Sequence, residues 1–117
     1  MNPAAIDLGK SLNSIRIVTL TRGNIRNHHI YLPLDFFPPD AIGGRNKAEM
    51  ARQAITVRFS PGPTVDTDID GTKRILRARS EVRSFFETIG AAEEDRIQIA
   101  KLQPYVFEIS RYGTAPS

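Results

Sequence analysis

Short runs in which apolar and polar residues alternate recur along most of this chain, and only one segment keeps a convincing helical period. Neighbouring side chains on an extended strand face opposite ways, so such alternation marks a strand with one buried face. "AITVRFS" (54–60) is the clearest case, with Ile55, Val57 and Phe59 alternating with Thr56 and Arg58. "SIRIVTLT" (14–21) puts Ile15 and Ile17 on one face and Arg16, Val18 and Leu20 on the other. "IYLPL" (30–34) reads as a second strand, ended by Pro33. "TVDTDID" and "TKRILRAR" flank Gly71 and read as a strand pair meeting at Asp70-Gly71, a dipeptide favoured in tight hairpin turns. "RIQIA" (96–100) and "YVFEISR" (105–111) form a last hairpin through "KLQP".

The period changes in "SEVRSFFETIG", where Val82, Phe85, Phe86 and Ile89 fall on one face of a helix. Ser80 is its expected N-cap, Glu81 suits the first turn, and Gly90 is placed to end it. "RGNIRNHH" (22–29) reads as a connection, and "DFFPPDAIGG" (35–44) as an apolar plug with at most one helical turn. "GRNKAEMARQ" (44–53) fits either a short helix or a polar loop. The sum is a mainly β, α+β chain with about seven strands and one or two short helices. So many strands in a small chain point to a closed or nearly closed barrel, because closure removes exposed edges.

A length of 117 residues with 40% hydrophobic content predicts a single domain over 1–117. Its expected core is about 15–111, with loose ends at 1–12 and 113–117. Cysteine is absent, which excludes disulfides and thiolate metal sites. No apolar run would span a bilayer and no signal-peptide pattern follows Met1, so a cytoplasmic protein without a membrane partner is expected. The net charge is only +3, but it is segregated. From 73 to 83 Lys73, Arg74, Arg77, Arg79 and Arg83 face Glu81 alone. From 22 to 29 there are two arginines, two histidines and no acid.

"DTDIDGTK" (66–73) invites a metal reading. Asp66, Asp68, Asp70 and Gly71 match the first half of an EF-hand loop, but the closing carboxylate position is Arg77. Prolines 61 and 63 also exclude the entering helix. A small metal-dependent nuclease centred on the three aspartates is the second possibility, although four cations follow closely. A solvated hairpin tip and a protein-interaction barrel without nucleic acid remain as further alternatives. No nucleophile elbow, phosphate loop or histidine chelate is present, so no catalytic residue, metal ligand or cofactor is expected.

Base recognition makes better use of these residue types. A two-stranded ribbon fits the major groove, where Arg reads guanine, Asn reads adenine and Asp accepts from cytosine. Arg22, Asn24, Arg26, Asn27 and His28 would form one reading set, with Gly23 allowing close approach. Asp68, Asp70, Thr72, Lys73 and Arg74 would form the other. Arg77, Arg79 and Arg83 would meet phosphates, and Arg79 could instead pair with Glu81 or Glu87.

"LTRGNIRNHHIYLP", followed by "FFP", resembles the opening of the B3-type DNA-binding pseudobarrel of plant transcription factors and of some bacterial restriction-endonuclease recognition domains. "VRSFFETIGAAEEDRIQI" resembles that family's amphipathic helix and the following turn, which normally reads Gly-Asp. Here the turn is Glu94-Asp95, and the lost glycine implies a different shape. The resemblance covers roughly 15–111 and, with "TDIDGTK", lies nearer the bacterial members. It implies a seven-stranded open pseudobarrel that grips double-stranded DNA through two arms, mapping here onto 22–29 and about 66–74. It also implies a non-catalytic, monomeric recognition module from bacterial restriction–modification, serving an attached or separate nuclease.

Overall fold

The computed structural model describes residues 14–113, and the expected loose ends at 1–12 and 114–117 lie outside them. Among the described residues eight strands form where about seven were expected: β1 (Ile15–Thr19), β2 (Ile42–Gly43), β3 (Ile55–Ser60), β4 (Thr64–Thr67), β5 (Ile69–Asp70), β6 (Ile75–Leu76), β7 (Arg96–Gln103) and β8 (Val106–Arg111). Two α-helices accompany them in the described residues, α1 (Arg22–Asn27) and α2 (Arg79–Ile89), with 3-10 turns at Leu34–Phe36, Pro39–Ala41 and Lys47–Glu49. The result is a compact α+β fold of mostly strands in two mixed sheets. The larger sheet has the order β1-β7-β8-β3-β4 and the smaller β2-β5-β6. No closed barrel is found: β1 and β4 are the ends of the larger sheet.

Alternation explains the larger sheet. Ile55, Val57 and Phe59 of β3 are all buried, as are Ile97 and Ile99 of β7 and Phe107 and Ile109 of β8. Strand β3 runs parallel to β8, pairing Val57 with Phe107 and Phe59 with Ile109, so these side chains line one face. On β1 the inward side is that of Val18 and Leu20, since Leu20 is buried and Ile17 is exposed. Helix α2 lies over the inner face through Val82, Phe85 and Phe86. The Phe85 ring sits 5.3 Å from that of Phe59. Burying a side chain of this size contributes about 1.5–3 kcal/mol. Phe36 and Phe37 cover the far end, with the Phe37 ring 4.6 Å from Phe107.

Several sequence expectations change. "IYLPL" makes one isolated bridge, Tyr31 to Ile75, rather than a strand, because Pro33 has no N–H to donate and a 3-10 turn follows directly. The connection at 22–27 is helical. Helix α2 starts one residue earlier than Ser80, with Ala78 at its cap, and ends on Gly90 in the left-handed region as expected. Strand β7 continues to Gln103, which shortens the connection to Pro104 and Tyr105. No helix among the described residues is long and apolar enough to cross a membrane.

Candidate nucleic-acid interface

The stretch 64–70 does not stay in one sheet. Thr64–Thr67 pairs with β3, and Ile69–Asp70 pairs with β2 and β6. The chain changes sheets at Asp68, so the three aspartates do not share a face. Asp66 is exposed and accepts from Thr56 Oγ1 at 2.7 Å. Asp68 is only 2% exposed and is closed by Arg77, whose Nε reaches Oδ1 at 2.7 Å and whose Nη2 reaches Oδ2 at 3.1 Å. Its Oδ2 also accepts from the Ala51 amide at 2.7 Å. The Arg77 guanidinium donates further to the Gly44 carbonyl at 2.8 Å. The hydrogen bond to Asp68 raises the Arg77 pKa above its already high usual value. Asp70 is also buried, and its Oδ1 accepts from the Thr72 and Lys73 amides at 2.9 and 3.0 Å.

These contacts correct two expectations. Asp68 and Asp70 are not free to read cytosine, because their carboxylates hold the hairpin together. Arg77 is not free to meet phosphate, because it is tied to Asp68. The aspartates also form no metal cluster: among the described residues no three His, Asp or Glu side chains converge to hold an ion. The exposed part of this arm is the turn Gly71–Arg74, where Thr72, Lys73 and Arg74 face solvent. Arg74 is held at φ 62°, and its amide donates to the Asp70 carbonyl at 2.7 Å.

The first arm is built by a capping box. Thr21 Oγ1 accepts from the Asn24 amide at 3.1 Å, and Asn24 Oδ1 accepts from the Thr21 amide at 2.8 Å. Asn usually stands at the cap rather than in the first turn, and this reciprocal pair is what lets "RGNIRN" start a helix. Asn24 is therefore buried and structural rather than exposed for adenine. Arg22, Arg26 and Asn27 are exposed, and Gly23 is half-buried. His28 ends the helix at φ 56°. Arg22 forms an exposed ion pair with Glu93 at 3.6 Å, whereas Arg26 has none among the described residues.

The chain just after the first arm is tied to the end of the second. The Leu32 amide donates to the Arg74 carbonyl at 2.8 Å, and Tyr31 bridges Ile75. Arg79 of α2 donates to the Asn27 carbonyl at 3.0 Å and pairs with neither Glu81 nor Glu87. Between the arms lies a cleft of about 200 Å³ lined by His29, Arg45, Asp70, Lys73, Arg77 and Arg79. Arg45, Lys73 and Arg79 have no carboxylate partner among the described residues. Burial, and then the charges of Arg79 and Lys73, lower the His29 pKa below its usual value. Arg83, expected to meet phosphate, is paired with Glu87 on the same helix at 3.3 Å.

Arg45 was missed by sequence reasoning, and the place of His29 in a cleft was not foreseen. Arg45 sits in a Gly-rich loop with no pattern to mark it, and His29 differs from His28 only through the packing of α2 and the hairpin. The chain matches no protein-family model and no curated protein sequence.

Proposed function

We propose that this chain binds double-stranded DNA sequence-specifically, as a B3-like pseudobarrel whose arms are 22–29 and the turn 71–74. One observation carries the reading: Tyr31 and Leu32, which directly follow the first arm, pair with Ile75 and Arg74 at the end of the second, beside one cleft with three cations that lack acid partners among the described residues. Arg22, Arg26, Asn27 and His28 are the groups for base edges, while Lys73, Arg74 and Arg79 serve phosphates, with Thr72 at the turn. At the turn before β7, Glu94 stands where the family normally has glycine and adopts φ 76°, a left-handed conformation that glycine enters without steric cost. The proposed setting is a bacterial, cytoplasmic restriction–modification system, with this chain as a monomeric, non-catalytic recognition module for a nuclease domain or subunit.

Selection of bound duplexes from a random pool, with chelator present, tests the reading. The expected result is one enriched motif, whose binding weakens with salt. Lys73→Ala should reduce the salt slope by about 1 without changing the motif. A pool that shows no enrichment, or binding that requires a divalent cation, would contradict it.

A further inference from the structure

The cleft between the arms contains a histidine whose surroundings are unusually one-sided. The His29 ring lies on its wall, and its Nε2 is buried without a hydrogen-bond partner among the described residues. His28 is its neighbour in sequence, Lys73 faces it from the β5–β6 turn, and Arg79 faces it from α2. Arg45 and Arg77 complete the cationic lining. Among the described residues the one carboxylate facing it is Asp70, whose Oδ1 already accepts from the Thr72 and Lys73 amides, and Arg77 is matched by Asp68. A buried polar atom without a partner is costly, and like charges oppose a second positive charge beside them.

We propose that this cleft seats a single phosphate group, and that His29 takes up a proton as the phosphate enters. The proposal rests on the DNA-binding reading for the source of that phosphate, a phosphodiester of the duplex backbone, but its chemistry is that of any phosphate-like oxyanion. An anion among Arg45, Lys73 and Arg79 offsets the repulsion that keeps the imidazole neutral. The proton comes from solvent and no bond to the ligand forms. With the free-state pKa below the usual 6.5, protonation in the bound state sets a pH window. Above the bound-state pKa the ring is neutral with or without ligand, and below the free-state pKa it is charged in both. Between them binding takes up as much as one proton, so affinity falls as pH rises, by at most about tenfold per pH unit. This makes the phosphate grip of the cleft proton-dependent.

The test follows the His29 Cε1–H resonance by NMR as pH is varied, alone, with sulfate, and with the selected duplex. Sulfate keeps one charge state through this range and stands in for the phosphodiester. The two histidine signals are assigned with His28→Gln. The expected result is a His29 titration below the usual range in the free protein, moved upward by sulfate and by duplex alike. Affinity for both should fall across the window in the parent and lose that dependence in His29→Gln. A shift with sulfate but no duplex binding supports the anion site and removes the DNA reading. Duplex binding with an unmoved His29 titration overturns the proton-coupled site and leaves the DNA reading standing. Persistence of the same pH dependence in a folded His29→Gln also overturns it.

Discussion

In the hairpin that carries "DTDIDGTK", the polar groups that stand out in the sequence are turned inward. Asp68 closes on Arg77, Asp70 caps the turn, and only the side chains of Thr72, Lys73 and Arg74 face solvent. In the 22–29 segment the balance is reversed. The Thr21–Asn24 box holds a six-residue helix, while Arg22, Arg26 and Asn27 face outward. Asn24 Nδ2 and His29 Nε2 are buried without partners among the described residues. One arm uses its chemistry to be rigid, and the other keeps its chemistry available. A rigid hairpin can position a phosphate contact accurately, whereas base discrimination needs donors and acceptors that the fold has not already used.

The strongest challenge to this contrast is Asp68→Ala. Removing one partner leaves the Arg77 guanidinium without its carboxylate, and loss of a buried pair costs about 3–5 kcal/mol. Arg77 is partly solvated, with a side-chain exposure of 15%, so the lower end of that range is expected. Denaturant unfolding measures it. A loss of DNA discrimination at unchanged stability would instead return Asp68 to the reading surface. Gly43→Ala should be next in size. Its Cβ would fall 2.6 Å from the Ala51 amide nitrogen and 2.9 Å from Asp68 Oδ2, a contact that backbone atoms cannot easily relieve. Overpacking of this kind costs about 1–3 kcal/mol, again read by unfolding.

On the first arm the expected effect falls on binding and not on folding. Arg26→Ala or Asn27→Ala should each cost about 1–3 kcal/mol on the selected site and relax one base position. Thermal unfolding should stay unchanged, since both side chains are exposed and make no hydrogen bond among the described residues. Parallel losses of stability and affinity would show that this arm is as structural as the hairpin.

What the sequence revealed depended on how far each element's pattern extended. Strands β3, β7 and β8 and helix α2 were legible because their buried residues repeat over at least two turns or several alternations. Strands β2, β5 and β6 are two residues each and leave no period to count. Helix α1 was not legible, because Gly23 and two asparagines weaken its propensity and Ile25 is its single apolar residue. The aspartates misled for a different reason. Alternation places 66, 68 and 70 together only if the strand is continuous, and the switch between sheets at Asp68 depends on Arg77 and on the distant loop at 44–51. Of the site, the two cationic segments were visible as charge, but their junction and the place of Arg45 were set by tertiary packing.

The smallest effect concerns the turn that supports the first arm. The Glu94 amide donates to the Leu20 carbonyl at 2.8 Å, and the Leu20 amide donates to the Asp95 carbonyl at 2.7 Å. Glu94→Gly should stabilise the fold by roughly 0.5–1 kcal/mol, because glycine adopts positive φ without a steric cost. Destabilisation would mean that the Glu94 side chain contributes more than its backbone conformation loses.

The account's central claim is that both arms form one DNA-binding face, and a backbone amide footprint tests it most directly. With the selected duplex bound, chemical-shift changes and slowed hydrogen exchange should concentrate in 22–29 and 71–74 and around Arg79. The outer residues of the larger sheet, such as Arg58 on β3, should be unaffected. A footprint confined to one arm, or centred on the larger sheet, would contradict the claim.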